Sequence, residues 1–289
     1  RYADELILLL TGKRGVAETQ IAFLSRQNKG TEIFVVDFDG ENLKQITNDK
    51  TLNLTPTWSP NGRWLAYTSY AGNNPDLVMI DNFGEKPKRT LLYLSGLNSA
   101  PSWSPVDDRL TLVLSKDENS EIYTLSNNRT LRRLTRHFNI DTSPTWSPDG
   151  KKIAFTSDRS GRGAPQIYIM DAHEGDKAGV QRISFNSSYN DNPAWSPDGD
   201  KIAYTSRVGK RFQIKIYDLI TKSSAVLTKG RENNEQPTWS PDGRFIAYRH
   251  KDGSGISTYI QRLDSDKTRQ LSIGNSSGAS PSWSPYLNR

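Results

Sequence analysis

One five-residue phrase, Pro-x-Trp-Ser-Pro, occurs six times in this chain, beginning at Pro56, Pro101, Pro144, Pro193, Pro237 and Pro281. Successive copies are 45, 43, 49, 44 and 44 residues apart. Self-similarity at a period of 40–50 residues restricts a chain to a propeller or a solenoid, because each repeat is one supersecondary unit that buries its apolar surface only against its neighbours.

The phrase has a physical reading. The fullest copy continues as Pro193-Ala194-Trp195-Ser196-Pro197-Asp198-Gly199-Asp200-Lys201-Ile202-Ala203-Tyr204-Thr205-Ser206. The Trp supplies one large apolar body per repeat to pack on the next. Pro-Asp-Gly is turn chemistry, since Pro presets φ and Gly accepts φ > 0. Lys-Ile-Ala-Tyr-Thr-Ser then reads as a buried strand. A second strand follows, as in Ile167–Asp171 or Ile214–Asp218, and a third, as in Gln181–Ser184 or Ala225–Thr228. With the short stretch around the Trp, that makes four strands per repeat, the content of a propeller blade.

The chain ends bear on closure. Only Tyr286 to Arg289 follow the sixth phrase, so its outer strands are missing there. They stand at the other end: Ile21-Ala22-Phe23-Leu24-Ser25-Arg26 matches Ile202-Ala203-Tyr204-Thr205-Ser206-Arg207, and Glu32–Asp37 and Gln45–Thr47 complete the set. The expected fold is all-β: a six-bladed β-propeller of four-stranded antiparallel blades, with one blade split between the N- and C-termini so that no long sheet edge stays open. Residues 1–18 stand outside the repeat. Tyr2 to Gly12 reads as a short helix with acids early and Gly at its end. It is apolar almost all round and should be buried against something. Two readings stay open: the tail of a preceding domain, which makes 1–18 the end of an absent N-terminal domain and 19–289 the propeller, or a helix packed on the propeller's side.

Bulk properties narrow the function. No apolar run reaches membrane-spanning length, the longest candidate being Leu6 to Leu10, and mean hydropathy is −0.71. The absence of cysteine excludes a disulfide framework and thiolate zinc sites, and suits an oxidising compartment. No signal peptide is visible, as expected if one has been removed. The net charge of +6 comes from scattered basic residues interleaved with acids, without a nucleic-acid-binding signature, so solvated faces account for it and no nucleic-acid partner is expected.

Alternating strand direction sorts the loops onto two faces. The Trp-Ser-Pro-Asp-Gly turns and turns such as His173–Asp176 share one face. Long turns such as 157–165 and the segments leading into each motif Pro share the other, which is the more variable and so the expected binding face. At its central mouth stand Asn53, Leu54 and Thr55, then Asn98, Ser99 and Ala100, then Asp141, Thr142 and Ser143, then Asp191 and Asn192, Glu235 and Gln236, and Ala279 and Ser280. The copy at Pro101 is degenerate, with Pro105-Val106-Asp107-Asp108-Arg109 in place of Pro-Asp-Gly.

Catalysis finds little support. His137, His173 and His250 sit in different blades and fall into no metal-ligand spacing. Gly274-Asn275-Ser276-Ser277-Gly278 matches the nucleophile-elbow pattern, which needs a strand before it and a helix after it. Here it falls in a loop between blades, which argues against a catalytic Ser276. Asp141, Asp191, Glu232 and Glu235 place carboxylates around the mouth. They read first as a solvated acidic rim; calcium, which accepts such oxygen ligands, is the second reading for Asp141, Asp191 and Glu235. No other cofactor is expected.

The repeat Pro-x-Trp-Ser-Pro-Asp-Gly-x-x-Ile-Ala-Tyr/Phe-Thr-Ser resembles the TolB-type propeller repeat, which is also found in propellers of prolyl-oligopeptidase-like peptidases. Leu10-Thr11-Gly12-Lys13-Arg14-Gly15-Val16-Ala17-Glu18-Thr19-Gln20-Ile21-Ala22-Phe23 is similar to the junction between N-terminal domain and propeller in the TolB family, and Pro281-Ser282-Trp283-Ser284-Pro285-Tyr286-Leu287 to that family's C-terminus. The resemblance implies a non-enzymatic periplasmic scaffold of the Gram-negative Tol-Pal system, serving outer-membrane integrity and constriction at cell division. It implies binding of the lipoprotein Pal at the funnel mouth, mimicry of that contact by some colicins, and contact with TolA through an N-terminal extension. Carried over blade by blade, the implied Pal site comprises Ser99, Ala100, Thr142, Ser143, Asp191, Asn192, Glu235 and Gln236, with Asn53 and Thr55 of the remaining rim. This chain has Leu97 where better-known members have His, which alters the partner's details. The rival expectations are the regulatory propeller of a peptidase whose hydrolase domain lies elsewhere, and a His- and metal-dependent propeller lyase acting on sugars.

Overall fold

The computed structural model describes residues 2–27, 29–72, 74–161, 163–271 and 278–287. They form six four-stranded antiparallel sheets. Blade I spans 53–92, blade II 98–133, blade III 141–182, blade IV 190–226 and blade V 233–270. Blade VI is the split one: Ala279–Trp283 pairs with Gln20–Gln27, which pairs with Gly30–Asp37 and then Lys44–Gln45. Its closing register sets Ile21 opposite Trp283 and Ala22 opposite Ser282, so the two ends of the chain share one hydrogen-bonded ladder. The expected architecture is the observed one.

Six apolar clusters among the described residues lie one to a seam between adjacent blades. Between blades VI and I, for example, Leu24, Ile33 and Val35 face Trp58, Leu65, Tyr67 and Val78. A blade therefore has apolar side chains on both faces of its central strands, and the near-continuous buried runs Ile153–Ser157 and Ile202–Ser206 follow from that. The motif Trp is the edge of each seam. Trp58, Trp146 and Trp239 each donate the indole N–H to the carbonyl just before the neighbouring blade's Trp, at Ser282, Ser102 and Ala194 respectively, 2.9–3.2 Å away.

A second seam device joins three residues that the repeat phrase does not contain. In blade IV the Thr228 hydroxyl accepts the backbone N–H of Ile214 at 2.8 Å and donates to the Gln213 side chain at 2.8 Å. The same Gln213 oxygen accepts the Asn234 amide of blade V at 2.9 Å. Thr47, Glu32 and Asn53 repeat this between blades VI and I, and Ser184, Gln166 and Asn190 between III and IV. The hydroxyl takes the N–H that a ladder carbonyl would have taken. The outermost strands accordingly end at Arg182 and Val226, two residues before Ser184 and Thr228.

The helix Tyr2–Thr11 forms where expected and ends at Gly12, whose φ of 71° closes it with an N–H bonded to the Leu8 carbonyl at 2.9 Å. Its anchor is polar. Leu6, Leu8, Leu9 and Leu10 are exposed, while Asp4 is buried and accepts the N–H groups of Ala17 and Glu18 at 2.9 and 3.1 Å. A carboxylate that can satisfy two otherwise orphaned backbone donors outweighs the leucines as the local anchor.

Replacing Gln213 with Leu leaves Thr228 and Asn234 as buried donors without an acceptor. It is expected to destabilise the propeller by about 2–4 kcal/mol, read as a lower urea midpoint at unchanged slope.

Candidate functional site at the propeller mouth

All six inner strands start at the same face, and proline makes them irregular in the same way. Pro has no N–H to give to the ladder, so the pairing with the second strand slips at the motif Pro. In blade I the register breaks between Leu54 and Thr57, and the other inner strands break at the matching place. The residue just before each Pro absorbs the slip by taking a left-handed backbone. Thr55, Ala100, Ser143, Asn192, Gln236 and Ser280 have φ between 48° and 57°. None is glycine, and a left-handed L-residue costs about 1–2 kcal/mol, so a six-fold strained collar surrounds the axis.

That collar lines an axial cavity of about 210 Å³ together with the prolines and the residues after them. Burial along the inner strands of blades I to IV repeats: the first residue buried, the next two half-exposed, the Pro buried. The expected rim residues Thr55, Ser99, Ala100, Thr142, Ser143, Asp191, Asn192, Glu235 and Gln236 are all half-exposed at the mouth. Asn53 is corrected: it is 0% exposed, donates to the Thr31 carbonyl and to Glu32, and belongs to the seam. A residue that a partner cannot reach is no part of a rim.

The rim is wired internally. Asp191 accepts from Thr156 Oγ1 at 2.9 Å, Ser143 Oγ at 3.2 Å, the Asn192 N–H at 2.6 Å and the Tyr189 hydroxyl at 3.1 Å. Burial and this carboxylate push the Tyr189 phenol up. Gln236 accepts the N–H and hydroxyl of Ser280, both at 3.2 Å, bridging blades V and VI across the mouth. Glu235 is ion-paired with Arg249, and Asp141 with Arg159 at 2.7 Å.

The calcium candidates do not converge. Asp141, Asp191 and Glu235 each turn to a separate set of donors, and no group of three or more His, Asp or Glu side chains gathers among the described residues. The residues present do not fit a calcium ion held by this trio. The histidines stay apart: His137 stacks on Phe138, His173 meets Glu174, and His250 meets Asn234. Ser276 lies outside the described residues.

Asp141 has an unusual environment. It occupies the place held by Asn53, Asn190 and Asn234 in other seams, but faces Glu121. Burial pushes its carboxyl up to about 6; Arg159 pulls against that, and Glu121 adds to it. The Glu121 side chain is held by Arg133 at 2.9 Å, the His137 N–H at 2.8 Å and the Thr135 hydroxyl.

Repeat spacing could not show which apolar residues flank the mouth. Tyr93, Phe138, Ile140 and Phe185 are exposed, and all lie in the segments that cross from one blade to the next on this face. Phe138 is 86% exposed. The available signal was the position of bulky residues within connections expected to be polar.

The model of the TolB beta propeller domain matches residues 8–287. The chain belongs to the TolB beta propeller family. A TolB homolog of Chlorobium luteolum is 35% identical over 175 residues, covering 60% of this chain and 39% of that protein. A Tol-Pal system protein TolB of Desulfosudis oleivorans is 42% identical over 137 residues, 47% of this chain and 31% of that protein. The chain thus matches well under half the length of these curated relatives. The crystal structure of TolB from Acinetobacter baumannii superposes with a TM-score of 0.88 at 29% identity, over 98% of this chain and 71% of that one. No helix among the described residues is long and apolar enough to cross a membrane.

Two outcomes follow for the TolB propeller. Ala100→Gly relieves the left-handed penalty and should raise stability by about 0.5–1 kcal/mol after the added chain entropy of Gly, measured by thermal melting. For Asp141 the sign runs against the usual carboxylate. The folded state keeps its proton to about pH 6, whereas an unfolded Asp releases it near pH ~3.9. Between these values the folded chain binds more protons, so this group makes stability fall as pH rises from about 4 to 6. Asp141→Asn, able to donate to Glu121 as Asn53 does to Glu32, should flatten that slope and add about 1–2 kcal/mol at pH 7, checked by urea melts across pH.

Proposed function

We propose that this chain is the partner-binding propeller of a Tol-Pal system TolB protein, a non-enzymatic periplasmic scaffold that receives the lipoprotein Pal at its mouth. The observation that carries this reading is a polar funnel, lined by six strained collar residues and flanked by the exposed aromatic side chains Tyr93, Phe138 and Phe185. Exposed aromatic area around pre-set polar groups is what a protein partner uses, with the aromatics as anchors and the polar groups fixing register. The relatives named TolB supply the system.

On this reading an inserted loop or helix end of Pal is buried in the funnel. The half-exposed collar side chains of Thr55, Ser143 and Asn192 and nearby backbone groups satisfy its hydrogen bonds, and Phe138 with Ile140 adds apolar area at the edge. The ion pairs Glu235–Arg249 and Asp141–Arg159 hold the wall rigid, so that little conformational freedom is lost on binding. Colicins that imitate Pal would use the same surface. The role in outer-membrane integrity and envelope constriction follows from Pal capture, and TolA is reached through a preceding N-terminal region, of which residues 1–18 are the end. The exposed leucines of the helix Tyr2–Thr11 are the face such a region covers.

The double variant Ala100→Tyr with Thr142→Arg fills the funnel without touching the seams. By calorimetry against the soluble domain of Pal from the same source, affinity should drop at least about 30-fold, equivalent to about 2 kcal/mol. Unchanged affinity in a variant with the wild-type melting profile would overturn the placement. No binding by the wild-type propeller would overturn the assignment of Pal.

A further inference from the structure

The seams are not equivalent on the face opposite the mouth. Trp58, Trp146, Trp239 and Trp283 are buried. Trp103 and Trp195 are half-exposed, and neither donates its indole N–H to the neighbouring blade: that of Trp103 has no partner, and that of Trp195 turns back to Gly199 of its own turn at 3.1 Å. Trp283 also lacks the bond to the preceding blade, but its seam is filled by Phe38 and Phe245, with ring centroids 5.7 and 6.3 Å from the indole. The seams of Trp103 and Trp195 are left as open clefts.

The cleft between blades III and IV has a volume of about 490 Å³, within the range of small-ligand sites. Trp195 and Tyr217 give it two aromatic walls on the blade IV side, in one register row where each pairs with Ile202 from either side. Lys152 and Gln181 enter from blade III and Lys222 from the outer turn of blade IV. Among the described residues none of these three side chains has an ion pair or hydrogen bond, whereas the nearby carboxylates are occupied. Asp149 is held by Ser147 and the Lys151 N–H, and Asp198 by Lys13 at 2.9 Å. The cleft thus offers two uncommitted ammonium groups, one uncommitted amide and flat π surfaces.

We infer that this cleft is a binding site for a carboxylated pyranose, a sugar of the hexuronate class. The C–H face of a pyranose carries positive partial charge that suits the negative face of an aromatic ring. The amide of Gln181 both donates to and accepts from ring hydroxyls. The two lysines make charge-assisted bonds to the carboxylate, the stronger kind of contact. A neutral sugar would leave the lysines unused, and a bare carboxylate would leave the aromatic walls unused. The site lies on the opposite face from the Pal mouth and stands independently of that reading.

The test follows indole N–H signals of the whole chain in ¹H–¹⁵N spectra, with Trp195→Phe to assign the reporter and Trp103 as an internal control. Titration with D-glucuronate or D-galacturonate should shift the Trp195 signal saturably, with the Trp103 signal unmoved. The paired substitutions Lys152→Gln and Lys222→Gln, both at exposed positions, should weaken that binding at least about tenfold while the remaining indole signals keep their wild-type positions. D-glucose should bind more weakly by a similar factor, and acetate should leave the signal in place. Absence of a uronate-induced shift, an equal response to acetate or to glucose, or full binding by the double variant would each overturn the proposal.

Discussion

A blade with apolar side chains on both faces has no stable existence alone, and this molecule depends on that constraint. Each sheet must be covered twice, so stacking cannot stop until the sixth blade meets the first. The hydrogen-bonded ladder between Gln20–Gln27 and Ala279–Trp283 makes that meeting within one sheet, built from the two ends of the chain. Closure leaves no first or last blade with an uncovered face.

The seams combine non-directional and directional terms. Leu, Ile, Val, Tyr and Trp supply area, while the indole bond and the Thr–Gln–Asn latch set how far one blade rotates against the next. Where the latch changes chemistry the local electrostatics change as well. Glu32 is tolerable because Thr47, Asn53 and the N–H groups of Asp49 and Lys50 all point at it. Glu121 opposite Asp141 needs Arg133 and Arg159, since a carboxyl cannot donate to a carboxylate unless it is protonated. The same substitution of Asp for Asn that costs stability near neutral pH places Arg159 beside the mouth.

The mouth inherits its shape from the proline that serves the seam. A missing N–H permits the slip in the ladder; the slip forces a left-handed residue; and six such residues project around one axis. The strain is shared out in equal portions by a rigid ring, which is how a polar collar can be held open with little reorganisation left for binding. On the opposite face the same repeat produces seams closed by the indole bond or, at Trp283, by Phe38 and Phe245, and open clefts at Trp103 and Trp195. Variation among the repeats therefore sits at both ends of one scaffold.

Much of this was readable from the chain. The period of the phrase, the two hydrophobic runs after each turn and the matching fragment at Ile21 sufficed for six four-stranded blades and a split one, because propeller topology follows from local repeats with no long-range ambiguity. The mouth segments were also legible by position, Ser99 to Gln236 all lying where the strand alternation puts them. Asn53 was misplaced because the same asparagine is polar in either setting, and only the approach of Glu32 from the neighbouring blade decides that it is buried. The leucines of the first helix were legible as a surface that calls for a cover, but apolar composition does not say what covers it, and among the described residues nothing does. The left-handed collar and the Asp141–Glu121 confrontation arise between residues that come from different strands or blades. The sequence by itself determined the repeat, its count and its closure, since these are encoded within single blades. What the tertiary structure alone decided is which polar groups meet across the seams, because that depends on the angle at which finished blades pack.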